Sequence, residues 1–142
     1  MARALTIAIL TTALLMGCGE SDDGIEGAPK PGSMRSGTAP DLSTPEAAVR
    51  SFCGAAEAKD VPRMGACIED AAGEKDLRRI ALGRITPDDV EDIARTLALR
   101  TVRGTEISPD GMEAWVDVTF KSGRDERIRV VKTPVGWKID DF

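Results

Sequence analysis

Three cysteines and one dense group of acids are the residues of this chain whose types and spacing could do chemistry. Cys18 closes an apolar N-terminal run and directly follows the small residue Gly17, which leaves room for a processing enzyme to reach it. Cys53 and Cys67 flank Lys59-Asp60 at nearly equal distances, so two helices folding back at that turn would bring them face to face. Outside the cytoplasm such a pair can form a disulfide, and closing a loop of ~15 residues would stabilise the fold by about 3 kcal/mol. The alternative is two buried free thiols acting as small hydrophobes. Asp88, Asp89, Glu91 and Asp92 have the density of a calcium site. They fall in the first turns of an expected helix, where acids favour the helix dipole, so a solvated cap is the better reading. His and Tyr are absent, which excludes His-based general acid–base catalysis, His metal ligation and Tyr as an oxyanion donor. No catalytic set, metal site or cofactor motif emerges.

The 142 residues are 30% charged and 42% hydrophobic, ordinary for a soluble globular domain. That length holds one domain with a modest core. With a net charge of −5 and no basic run, the chain has no long-range attraction for nucleic acid or anionic lipid, and no nucleic-acid partner is expected.

Met1-Ala2-Arg3 supplies a short positive start, and Ala4 to Met16 is apolar except for Thr6, Thr11 and Thr12. An apolar run of roughly 13 residues suits the core of a signal peptide and falls short of the ~20 that a spanning helix needs. Leu15-Met16-Gly17-Cys18 resembles the lipobox of bacterial lipoproteins, with Leu15 and Gly17 matching well and Met16 a less usual occupant. The resemblance implies that residues 1–17 are a signal peptide and that Cys18 becomes the first residue of the mature chain. Its sulfur would receive a diacylglyceryl group and its freed amine a further acyl chain such as palmitate. Several chains make a stable membrane anchor where one alone is marginal. A plain secretory signal cut elsewhere, with Cys18 incidental, is the alternative. Gly19 rather than Asp follows the cysteine, so in a diderm host the resemblance favours the outer membrane, facing the periplasm. Residues 18–42 carry Pro29, Pro31 and Pro40, scattered Gly and little apolar mass, a composition that predicts a flexible tether.

The folded domain is expected over residues 43–142. Ser43-Thr44-Pro45-Glu46 reads as a helix start in which either hydroxyl can cap and Glu46 completes a capping box with Ser43. Val49, Phe52, Cys53 and Ala56 follow on one helical face. Lys59-Asp60 breaks that helix, and Asp60-Val61-Pro62 opens a second one burying Val61, Met64, Cys67 and Ile68 and ending near Ala72-Gly73. Glu74 to Arg84 is a charged helical connector with Leu77, Ile80 and Ala81 facing inward. Thr86-Pro87 opens the helix that carries Val90, Ile93, Ala94 and Leu97.

After Leu99 the period becomes alternating. Strands are predicted over Thr101–Ile107, Met112–Lys121 and Arg124–Thr133, with a short last one holding Trp137 and Ile139, separated by Ser108–Gly111, Ser122-Gly123 and Pro134–Gly136. Ala114, Val116, Val118, Phe120, Ile128 and Val130 share an inner face. Short turns make the strands an antiparallel meander, and one apolar face per strand means that helices cover a single side. The fold class is therefore α+β.

Thr44-Pro45-Glu46-Ala47-Ala48-Val49, Lys59-Asp60, Ala114-Trp115-Val116-Asp117-Val118 and Trp137-Lys138-Ile139 together resemble the nuclear transport factor 2-like (cystatin-like, SnoaL-like) superfamily over Ser43 to Phe142. That resemblance implies a curved sheet wrapped round helices into a cone that can hold a pocket, here in shortened form. Its members include isomerases, cyclases and dehydratases beside many non-catalytic binding or scaffold domains.

Two functions follow, beside a purely structural envelope protein with no ligand, which the sequence does not separate from the first. The first is a lipid-anchored cell-envelope protein with a non-catalytic domain that binds an envelope protein, a second copy of itself or a small apolar ligand. Its candidate contact surface is the outer sheet face: Trp115, Asp117, Arg127, Arg129 and Val131. The alternative for Trp115 is an isolated surface aromatic shielded by Arg side chains. The second function is a small isomerase- or dehydratase-like enzyme using a pocket Asp or Glu, a reading weakened by inner faces made of Ala, Val, Phe, Ile and Trp.

Overall fold

Thr44 starts the first helix, α1 (Pro45–Glu57), by accepting the Ala47 amide on its hydroxyl at 3.1 Å, with Pro45 in the first turn. The structure, a computed structural model, describes residues 38–142. The leader, Cys18 and the tether up to residue 37 lie outside the described residues. The expected pairing of Ser43 with Glu46 does not form. Thr44 takes the cap, which puts Glu46 one residue too early to reach back, and Ser43 instead donates its amide and hydroxyl to the Asp41 carboxylate at 3.0 and 2.6 Å. The folded part also begins earlier than Ser43. The Asp41 amide donates to the Ser51 hydroxyl at 2.9 Å, and Leu42 packs on the core.

Eight of the 13 residues of α1 are buried, which places this small-residue helix at the centre of the domain rather than on its surface. Lys59 ends it in the left-handed conformation (φ 58°), with the Asp60 amide reaching back to the Ala55 carbonyl at 2.9 Å and the Lys59 amide to Ala56 at 3.0 Å. Asp60 then caps α2 (Val61–Ala66) by accepting the Arg63 amide.

The second helix stops six residues short of the expected Ala72. Beyond Cys67 the backbone is recruited by the sheet: the Ile139 amide donates to the Cys67 carbonyl and the Glu69 amide to the Ile139 carbonyl, both at 2.8 Å. Those bonds replace the next helical turn. α3 (Lys75–Ala81) buries Leu77 and Ile80 as its spacing predicts, and it approaches α2 closely where a side chain on Gly65 would lie 3.3 Å from the Ala81 carbonyl. α4 (Pro87–Thr96) begins with a capping box between Thr86 and Asp89. It buries nothing fully within its own length. Ile93 is half-buried, and only the C-cap Leu97 enters the core.

The four strands β1 (Leu99–Ile107), β2 (Glu113–Phe120), β3 (Asp125–Thr133) and β4 (Gly136–Asp141) form one antiparallel sheet in chain order. β2 alternates as predicted, with Ala114, Val116, Val118 and Phe120 buried and their neighbours half-buried. β1 starts two residues earlier than predicted and does not alternate. Register shifts between Leu99 and Thr101 and between Val102 and Gly104 re-phase it, so that Leu99, Val102 and Thr105 lie opposite inward residues of β2. Such irregularities bend a strand and break its period of two.

Helices cover one side of this sheet. Phe52, Met64 and Phe120 are fully buried and Trp137 nearly so, together with Ile128, Val130 and Ile139 from the strands. The space between helices and sheet is filled by side chains.

Candidate functional site

The outer face of the sheet brings together the five residues predicted for contact. Antiparallel register sets Trp115 opposite Glu106 on β1 and Arg129 on β3, and Asp117 opposite Arg127. Arg129 donates to the Glu113 carboxylate at 2.6 Å and to Asp140 at 2.8 Å, tying β3 to both neighbours, and the Glu113 hydrogen bond holds its guanidinium above the ordinary pKa. Arg127 pairs with Glu106 and lies 3.6 Å from Asp117. Val131 sits beyond this lattice, opposite Glu113 and Lys138. Trp115 is half-buried, and its indole, Glu106 and Arg127 border a shallow depression. Arg side chains therefore do flank Trp115, while the face as a whole stays open.

A cleft of about 390 Å³ lies between α3, α4 and the β2–β3 end of the sheet. Leu77, Ile80, Ile85, Ile93, Leu97 and Phe142 supply its apolar lining. α4 packs on α1 but buries none of its own residues fully, so its apolar side chains stay available to line this space. The rim is charged and mostly self-paired. Arg79 bonds to Asp89 at 3.1 Å and to Asp76 at 3.4 Å, and Arg124 lies over the Phe120 ring at 5.3 Å.

Glu74 at the rim is the exception. It occupies the N-cap position of α3 without making a cap hydrogen bond, and one of its carboxylate oxygens is buried with no partner. Burial, and after it the negative charges of Asp141, Asp76 and Glu126, push its pKa up. Sequence spacing does not single out Glu74. The available signal was an acid at a helix start lacking the Ser, Thr, Asp or Asn that a cap prefers.

The expected disulfide is not formed: Cys53 and Cys67 are free and buried. Cys67 ends α2, and its thiol donates to the Arg63 carbonyl at 3.3 Å rather than meeting Cys53. Burial raises the two thiols to pKa values of about 12 and about 11. Both are inert packing groups.

Among the acids 88–92, Asp89 is a helix cap. It accepts the Thr86 amide at 2.9 Å, which lowers its pKa, and Asp92 pairs with Arg95. No group of three potential metal ligands converges among the described residues, and none of their helices is long and apolar enough to cross a membrane. Compared with protein-family models, curated proteins and solved structures, the chain matches none.

Proposed function

We propose that this chain is a lipid-anchored protein of the cell envelope whose folded part is a non-catalytic binding domain, a shortened relative of the nuclear transport factor 2-like cone. Support for the anchor is Leu15-Met16-Gly17-Cys18 after its apolar run, and support for the fold type is the order of helices followed by a meander. The observation that carries the binding role is the division of space. The interior where a catalytic pocket would lie is occupied by Phe52, Met64, Phe120 and Trp137, while a cleft of about 390 Å³, part apolar and part charged, stands open beside it. A recess of that size, with apolar side chains beneath a charged rim, fits a small amphipathic ligand. The outer sheet face around Trp115 is the surface for an envelope protein or a second copy.

Native mass spectrometry of the chain isolated from envelopes tests the cleft. A small molecule should accompany the wild type and be lost from Ile93→Arg, which fills the cleft from its half-exposed side. An identical spectrum for both removes the cleft from the proposal. For the sheet face, Trp115→Ala should change oligomeric state or crosslinked partners, and no change in either ends that assignment.

Glu74 favours a second reading, a small isomerase- or dehydratase-like enzyme using that acid. Burial raises its pKa, which moves the carboxyl in the direction a general acid requires. If a compound that occupies the cleft leaves the wild type chemically altered and leaves Glu74→Gln intact, this reading replaces the first.

A further inference from the structure

Among the described residues, three of the four most exposed large apolar side chains sit at one end of the sheet: Ile107 (53% exposed), Met112 (51%) and Val135 (69%). The meander puts them there. The β1–β2 turn follows Ile107 and precedes Met112, the β3–β4 turn contains Val135, and alternate turns of an antiparallel meander share an end. Register closes the group laterally, because the Lys132 amide donates to the Met112 carbonyl at 2.8 Å and Thr133 pairs with Gly136. Pro109 and Pro134 are exposed within the same two turns.

The chain enters the domain at this end. Leu42 lies against Gly136, and its carbonyl accepts the Trp137 amide at 2.8 Å. About 20 residues separate Thr38 from Cys18, a span of at most ~70 Å when fully extended. Attachment at the apolar end lets that end meet whatever Cys18 is fixed to without the domain turning over. Tethering also converts a weak contact into an intramolecular one at an effective concentration in the millimolar range.

We propose that this end of the sheet, with Ile107, Met112 and Val135 at its tip, docks on the phospholipid surface that holds the anchor. The proposal rests on the lipid-anchor reading of Cys18. Lys132, whose ammonium stands 5.7 Å from the centre of the Trp137 ring, is placed to reach phosphate groups at the rim of the contact. Asp41 and Asp110 are exposed and ionised at the same end, so the contact is made by apolar side chains and is not strengthened by anionic lipid.

The test uses the full lipidated chain in phosphatidylcholine vesicles, with a nitroxide on Val135→Cys or, at the opposite end of the sheet, on Ser122→Cys. Buried Cys53 and Cys67 do not compete for the label. Broadening by a water-soluble nickel reagent should be lost at 135 and kept at 122. Adding Ile107→Ser and Met112→Ser should restore broadening at 135 while circular dichroism stays unchanged. Full broadening at 135 in a chain that carries palmitate overturns docking and leaves the anchor standing. If the wild type incorporates no more palmitate than Cys18→Ser, the anchor reading fails instead. Docking is then decided by adding the unmodified chain to the same vesicles at millimolar lipid, where failure to co-float overturns it.

Discussion

Gly136 and Leu42 approach so closely that a side chain on Gly136 would lie 2.5 Å from the Leu42 carbonyl oxygen, the same oxygen that accepts the Trp137 amide. This contact covers the start of β4, and farther along the same edge Cys67, Ile68 and Glu69 continue the cover. The edge that a four-stranded meander would leave open on that side is thereby protected by the segment that leads into α1 and the segment that leaves α2.

Gly136→Ala should therefore destabilise the fold by about 2–3 kcal/mol, from a collision with backbone and a positive φ that alanine tolerates poorly. Its φ is 127°, which no side-chain movement relieves. Urea denaturation would show the midpoint falling. A midpoint within error of the wild type would mean that Leu42 is not held against β4.

Phe120 closes the inner face of β2 and is fully buried, so Phe120→Ala should cost about 3–5 kcal/mol by cavity formation. Trp115→Ala, on the opposite face of the same strand, should cost far less, because its indole is half-exposed. Equal losses in thermal unfolding would contradict the division of β2 into a packed and an open face.

Cys53 and Cys67 should resist alkylation in the folded protein and react fully, without reductant, once it is unfolded. The sign of the accompanying pH effect follows from their raised pKa values. The unfolded chain releases thiol protons near the ordinary value of 9.0, while the folded chain keeps them to about 11 and about 12. Stability should fall as pH rises through that window. Chemical denaturation of the Cys53→Ala/Cys67→Ala double variant should show a weaker fall over the same range.

Glu74 and Asp89 should respond to pH in opposite directions. The raised pKa of Glu74 means that the folded state binds its proton more tightly, so its ionisation weakens the fold above the ordinary glutamate range. Glu74→Gln should thus be neutral to stabilising at pH 7, with the gain vanishing in acid. Asp89, held low by the Thr86 amide and hydroxyl, contributes above the ordinary aspartate pKa of 3.8 and loses that contribution as pH falls through its lower folded value. Asp89→Asn should lower the melting temperature at pH 7 and approach the wild type only in acid below the ordinary aspartate range. Parallel behaviour of the two variants would show that the carboxyl environments have been misassigned.

Breaking Arg129 should matter modestly. Its two partners are on different strands, but all three side chains touch water, so Arg129→Met should cost about 1 kcal/mol or less, and less again in high salt. A salt-independent loss well above that would mark the outer face as a buried interface in solution.

Much of the architecture is written locally in the sequence. Thr86-Pro87 and Asp60 announce helix starts because capping needs only a short polar side chain next to free amides. The alternation of Ala114, Val116, Val118 and Phe120 fixes β2 because a regular pleated strand turns successive side chains to opposite faces. The outer-face residues were legible for the same reason, being the complement of the buried set. What depended on partners distant in the chain was not legible. α2 ends early because Ile139, some 70 residues on, claims its next backbone groups. β1 loses its period because bulges re-phase it against β2. Cys53 and Cys67 stay unbridged, the Cys67 thiol turning to the Arg63 carbonyl, a backbone contact that their spacing about Asp60 does not announce. The cleft beside Glu74 exists only because α4 stops short of the core, and a space left between elements has no signature in any one of them. Helix starts, strand period and fold class thus followed from the chain alone, whereas the cleft, the covered edge and the apolar end were decided by how the elements meet.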